Sequence, residues 1–431
     1  MRVLWVSNIL FPEVCCKLGI PVPVVGGWMQ SGAYSLLAQS ADIDIAVVSI
    51  YNVSEIKKVK TEKLLHYLLP LGADDQYYDE KKEEYFEKII DEYNPDLVHI
   101  HGSEFPHSLS CAKACEHRHT PFLVSIQGLV SQCWKYLNGG LSEDELNDIL
   151  PQKTIIKERI KKCLGRPARR TPKEEMYIRG EYERQLLKMS NNVVGRTSWD
   201  KSHVCAVNPQ IKYYLCNETL REEFYDVQWD YSNCDKHTIF LSQGNYPLKG
   251  LHVLLDAIVY VKQQFPDVIL YIGGSNIIND SSYQRNGYAR FIKNKLVELN
   301  IDKNIHFLGY LNASQMKDRY LRANVYVNCS FIENSPNSVG EAQLIGTPCI
   351  GSFVGGTMDM IKHGKTGFLY RVEEVEMLAF YICKLFTSPE ICKIMSDEER
   401  QVALLRLNGE VNAHTLLNIY DDIKNNTCKN N

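Results

Sequence analysis

Two carboxylates, Glu333 and Glu341, flank seven small or polar residues in the stretch ENSPNSVGE. Upstream, NVYVNCS (324–330) is apolar and β-branched enough for a buried strand. Downstream, Ser338 is followed three residues later by Glu341, and Ala342, Leu344 and Ile345 then open an apolar face. That is the pattern of a helix start, with Gly346-Thr347-Pro348 as its stop. CIGSF (349–353) supplies the next strand, so the unit reads β-loop-α-β. A loop at the carboxyl end of a parallel strand is where open α/β sheets bind ligands. The N–H groups within Ser335–Ser338 lie where a helix N-terminus receives an anion. The plainer reading makes Ser338 and Glu341 a capping box and Glu333 a solvated loop acid.

The elements around this loop repeat one theme. RVLWVS (2–7), DIAVVSI (44–50), NPDLVHIHG (94–102) and PFLVSIQG (121–128) read as strands alternating with helices. TIFLS (238–242), VILYIGG (268–274) and IHFLG (305–309) continue the series in the second half. Such alternation predicts α/β architecture with doubly wound parallel sheets. With 431 residues, two domains are expected. Gly26-Gly27, between the first strand and a helix over 31–39, would let backbone approach a phosphate without Cβ interference, or simply form a turn. The absence of G-x-G-x-x-G there counts against a nicotinamide-binding domain.

The string from Glu333 to Glu341, its trailing EA…GTP and the later GG…HGKTGFL (355–369) together resemble the E-x7-E signature of retaining glycosyltransferases of the GT-B fold, family 4 or group 1. The resemblance extends over nearly the whole chain, is strongest from 238 to 370, and points to bacterial polysaccharide-assembly members. It implies two Rossmann-like domains facing across a cleft: 1–225 on the acceptor side, 237–405 for the nucleotide sugar, a linker near 225–236, and a tail helix in 406–431 crossing back to the first domain.

The resemblance also assigns residues. Glu341 would hold ribose hydroxyls, since a carboxylate accepts two hydrogen bonds from a diol. Glu333 would contact the donor sugar and stabilise positive charge at its anomeric carbon, and Ser335, Pro336, Asn337 and Ser338 would fix that sugar by backbone groups. Lys249, in the family's G-R-…-K-G string, would neutralise the diphosphate together with the Gly26-Gly27 loop. Gly244 matches that string, but Asn245 stands where the family has arginine, leaving one fewer cation. Gly309 and Tyr310 would approach the base. His101 ends a string like the family's PD-x-V-H-x-H, and Gln127 replaces a histidine of the sugar pocket; glutamine bonds a hydroxyl but does not titrate near neutrality. Arg196, in GRTSWD, would pair with a phosphate or form an interdomain salt bridge.

Composition sets the remaining bounds. Hydrophobic content of 45% and charged content of 23% are ordinary for a soluble protein, and a net charge of −4 argues against a nucleic-acid partner. The 14 cysteines lack paired spacing. Cys111, Cys115, His117 and His119 have some zinc character, but Ala112 and Ala114 favour an amphipathic helix. No D-x-D pair sits where a metal would bridge a diphosphate, so no metal or other cofactor is expected. No targeting signal or spanning helix is visible, which points to the cytoplasm. Residues 153–170 hold eight basic residues and one acid with isoleucines interleaved. They suit an anionic membrane surface at its inner face, or simply a solvated basic helix.

The expectation is therefore a retaining hexosyltransferase that uses a nucleotide-diphosphate sugar and a glycan or lipid-linked acceptor in bacterial surface polysaccharide synthesis. Two alternatives stay open: a nucleotide-sugar epimerase or hydrolase, and a catalytically degenerate, membrane-associated assembly partner.

Overall fold

The computed structural model describes residues 1–23, 26–71, 76–142, 144–146, 170–278 and 287–430. It forms two compact units: Met1–Trp134, Glu174–Arg221 and Arg406–Asn431 make one, and Lys135–Lys173 with Glu222–Leu405 make the other. The division at 221/222 lies ahead of the linker expected near 225–236. The basic stretch 153–169 lies outside the described residues.

The first unit is built on an eight-stranded sheet: β1 (Arg2–Ser7), β2 (Asp44–Tyr51), β3 (Lys57–Lys60), β4 (Leu65–Pro70), β5 (Leu97–His101), β6 (Phe122–Ser125), β7 (Asn192–Gly195) and β8 (Lys212–Leu215). Their order is β3-β4-β2-β1-β5-β6-β7-β8, parallel throughout except that β3 runs antiparallel to β4. Strands buried on both faces read as continuous apolar runs, as β1 and β2 do, with Leu4 opposite both Ala46 and Val98. One face of the sheet carries Leu4, Val6, Val98 and Ile100, packed on the helices Lys81–Tyr93 and Pro106–His117. The other carries Val3, Trp5, Val47 and Leu123. This second face is covered by the helix Gly27–Gln39 and by the terminal helix Gly409–Asn430 through Ala413, Ile419, Tyr420 and Ile423. Cys111 and Cys115 are wholly buried core residues, and His117 bonds the Glu87 carboxylate.

The second unit has six parallel strands: β9 (Thr238–Leu241), β10 (Ile269–Gly273), β11 (Ile305–Gly309), β12 (Val325–Asn328), β13 (Cys349–Ser352) and β14 (Phe368–Tyr370), ordered β11-β10-β9-β12-β13-β14. Successive strands run outward from β9 to one edge and then from β12 to the other. The order therefore reverses between β9 and β12, and the crevice outside the carboxyl ends at such a reversal is the ligand site of doubly wound sheets. The excursion after Trp134 packs here. Gly139, at φ +60, lies so near Pro247 that a Cβ would stand 2.2 Å from the Pro247 carbonyl oxygen, and that same glycine's carbonyl bonds His252 Nε2 at 2.8 Å.

Candidate functional site

The loops after β9 and β12 meet at the reversal. Gly250, at φ +71, is pressed against the Cys329 carbonyl, where a Cβ would fall 1.9 Å from the oxygen; a side chain there would force the loops apart. This contact brings Lys249 to Glu333, with Nζ 2.6 Å from Oε1, and Ser330 Oγ donates to the same carboxylate oxygen at 2.7 Å. The two side chains are only 17% and 13% exposed. Burial works against the Lys249 charge, but the Glu333 carboxylate, with Tyr246 and Tyr326 adding to it, more than offsets this and holds the ammonium above its usual range. The Glu333 carbonyl is braced by the Gly356 N–H at 3.0 Å, and only a glycine at 355 lets the chain pass that close.

Beside this pair the helix Asn337–Ile345 begins. Pro336 is its N-cap, and no side chain caps it. The capping box expected from Ser338 and Glu341 is therefore not formed: proline sets the extended entry (φ −65, ψ 116) and the helix starts ahead of Ser338. The first-turn amides of Asn337 and Ser338 have no intrahelical acceptor, as at any helix N-terminus. Glu341 is 6% exposed, and Tyr320 OH donates to its Oε2 at 3.3 Å. Ser335 Oγ lies 3.7 Å from Met360 Sδ. Gly244 packs on Leu251, and Asn245 Oδ1 is buried without a hydrogen-bond partner among the described residues. At the end of β11, Gly309 has φ +78, and Tyr310 is 64% exposed with its hydroxyl 2.6 Å from Ser275 Oγ.

The first unit has its own pocket at the carboxyl ends of its strands. Gly26, at φ +82, N-caps the helix Gly27–Gln39, and Gly27 packs on the Arg221 side chain. His101, Gln127 and Arg196 line one pocket together, with Trp28, Glu218 and Leu416. Arg196 Nη1 pairs with Glu218 Oε2 at 2.7 Å inside this unit. Gln127 joins that pair, donating to Glu218 Oε1 at 2.7 Å and accepting from Arg196 Nη2 at 3.2 Å. Sequence reasoning missed Glu218 and Trp28, because nothing in their local strings separates them from ordinary loop or helix residues.

Below the pocket, Tyr420 OH joins Trp5 Nε1 (3.0 Å) and His99 Nδ1 (2.6 Å), and His99 Nε2 meets Ser125 Oγ at 2.7 Å. His101 lies against His99 with centroids 3.8 Å apart and the rings tilted by 34°, and neither of its ring nitrogens has a hydrogen-bond partner among the described residues. Burial takes its pKa down to about 3, so the ring is neutral at physiological pH. Three residues beyond His101, burial pushes the Glu104 carboxyl up to about 7, with the nearby Glu183 adding to the rise and Arg179 and Arg196 opposing it.

Residues 228–402 match the family described as Glycosyl transferases group 1. A putative glycosyltransferase of Bacillus subtilis (strain 168) is 29% identical over 170 residues, 39% of this chain and 40% of that protein. An Escherichia coli protein named UDP-Gal:alpha-D-GlcNAc-diphosphoundecaprenol alpha-1,3-galactosyltransferase is 25% identical over 42% of each chain. These matches thus span about two fifths of the relatives' own lengths. The whole fold is similar to sucrose-phosphate synthase from Thermosynechococcus elongatus, with a TM-score of 0.71 at 17% identity over 98% of this chain and 99% of that one. At that identity the likeness concerns the fold alone, which is of the GT-B class. The match to Glycosyl transferases group 1 thus falls on residues 228–402 of a chain with two doubly wound, parallel-sheet units.

Proposed function

We propose that this protein is a retaining glycosyltransferase that moves a hexose or related sugar from a nucleotide-diphosphate sugar to a hydroxyl of a glycan or lipid-linked acceptor. The observation that carries the reading is the buried Lys249–Glu333 pair beside the free N-terminus of the helix Asn337–Ile345. It provides a cation for a leaving diphosphate and a carboxylate for a sugar ring that becomes positively charged. The UDP-sugar named for the Escherichia coli relative supports a nucleotide-sugar donor, and the lipid diphosphate in that name supports a lipid-linked acceptor. Glu341 would hold the ribose diol, Tyr310 and Gly309 the base, and the pocket of the first unit the acceptor.

In the proposed reaction the bond from the anomeric carbon to the β-phosphate oxygen breaks, and the acceptor oxygen bonds the same carbon on the same face. The acceptor proton passes to the departing phosphate oxygen, and the nucleoside diphosphate leaves. Lys249 compensates the negative charge that develops on that oxygen. The reaction so drawn needs no metal ion. Bacterial surface polysaccharide assembly is the setting we infer, with the basic stretch 153–170 resting on an anionic membrane surface. Among the described residues no helix is long and apolar enough to cross a membrane.

Thermal stabilisation by a panel of UDP-, GDP-, ADP- and CMP-sugars tests the donor, because a ligand at one hundred times its Kd adds about 2.7 kcal/mol. Transfer assays with and without EDTA then test metal independence. Free sugar or an epimerised donor formed without acceptor would replace the transferase reading with a hydrolase or epimerase. No response to any donor would favour a degenerate assembly partner.

A further inference from the structure

The pocket of the first unit has one permanent positive charge among its described lining residues, and that charge is already spent. Arg196 Nη1 is 2.7 Å from Glu218, while Nη2 donates to the Ile126 and Gln127 carbonyls and to Gln127 Oε1. The Arg196 and Glu218 side chains are 6% and 12% exposed. At such burial an entering anion would have to displace Glu218 from the guanidinium and then stand beside its charge, a repulsion little screened by water.

Among the uncharged polar residues of the lining, which include Ser35, Asn217, Thr219 and Asn412, His101 is unpartnered at both ring nitrogens among the described residues and neutral. A neutral imidazole offers one donor and one acceptor, which suits a hydroxyl, itself donor and acceptor. The remaining walls include the rings of Trp5 and Trp28 and the side chain of Leu416. An apolar wall with a few convergent polar groups is the usual make-up of a small-molecule site, and the C–H face of a pyranose is apolar.

We propose that this pocket takes an uncharged, hydroxyl-bearing sugar ring and rejects sugars that carry a carboxylate or phosphate on that ring. The inference rests on reading the first unit as the acceptor side and names the class of acceptor it selects.

The test is binding to the full chain without donor, followed by titration calorimetry or ligand-observed NMR. The probes are methyl glucoside and methyl galactoside against methyl glucuronide and glucose 6-phosphate. Neutral glycosides are expected to bind at least tenfold more tightly than the charged ones. Glu218→Gln, which releases the Arg196 charge, should shrink that ratio by raising affinity for the glucuronide. Trp28→Ala should weaken the neutral glycosides about tenfold and provides a second arm should the Glu218 variant fold poorly. Equal or tighter binding of the charged probes, no binding of either neutral glycoside, or an unchanged ratio in folded Glu218→Gln would each overturn the proposal. UDP binding is measured in the same samples. Its loss with glycoside selectivity intact would count against the transferase reading and leave the pocket assignment standing.

Discussion

The Lys249 ammonium lies 2.6 Å from the Glu333 carboxylate, although the two residues are 84 positions apart and come from different loops of one sheet. Glu333 favours the charged form of Lys249 in a site where both side chains are poorly solvated. A diphosphate arriving at Lys249 would share that cation with Glu333 and leave the carboxylate available to the sugar.

Lys249→Met should therefore lower kcat by about 10²–10³-fold, the usual cost of removing one preorganised charge-stabilising donor. Steady-state kinetics with the donor selected from the panel checks this. Unchanged turnover in a folded variant would make Lys249 a structural partner of Glu333 only.

Glu341→Gln keeps the shape of a side chain that is 6% exposed and accepts from Tyr320. If the carboxylate holds the ribose diol, nucleotide affinity should fall about tenfold, in line with about 1.5–3 kcal/mol for hydrogen bonds to a charged group. Calorimetry with UDP and 2′-deoxy-UDP gives the sharper check. The parent should prefer the ribonucleotide, and the variant should lose most of that preference. A preference retained in full would remove Glu341 from the ribose.

Tyr420→Phe deletes the hydroxyl that joins Trp5 and His99 and ties the terminal helix to the first sheet. Leaving buried donors or acceptors unpaired costs about 1–3 kcal/mol, so the urea midpoint of the first unit's unfolding should drop. Donor binding, attributed to the second unit, should stay as it is. An unmoved midpoint would show that the network adds no net stability.

Glu399 is fully buried, and burial raises its pKa well above the usual carboxylate range, against a smaller opposing effect of Cys349. The folded protein thus keeps a proton that the unfolded chain releases above about pH 4.3. Stability from this group is present below that value and falls as pH rises towards the folded pKa. Glu399→Gln lacks the titration, so it should be more stable than the parent at pH 8 and nearly equal to it near pH 4.5. Denaturant curves at both values decide, and a pH-independent gap would contradict the assignment.

The sequence alone determined what depends on local chemistry. Apolar runs such as RVLWVS and DIAVVSI read as strands, and their alternation with helices pointed to a parallel α/β class, as the structure shows. The loop from Glu333 to Glu341 and the Lys249-Gly250 turn were legible because their residue types and spacing are contiguous in the chain. The β3 strand, KKVK, was not legible, since only Val59 faces inward and the rest is charged and exposed. The helix enters at Pro336 rather than at a Ser338 cap because proline's fixed φ sets the extended entry two residues earlier. Only the tertiary structure decided that Arg196 belongs to Glu218, that Gly139 lies on Pro247, and that Lys249 reaches Glu333. Those pairings depend on which strand ends the sheet order makes neighbours and how much water is excluded between them, and neither quantity is written in a local string.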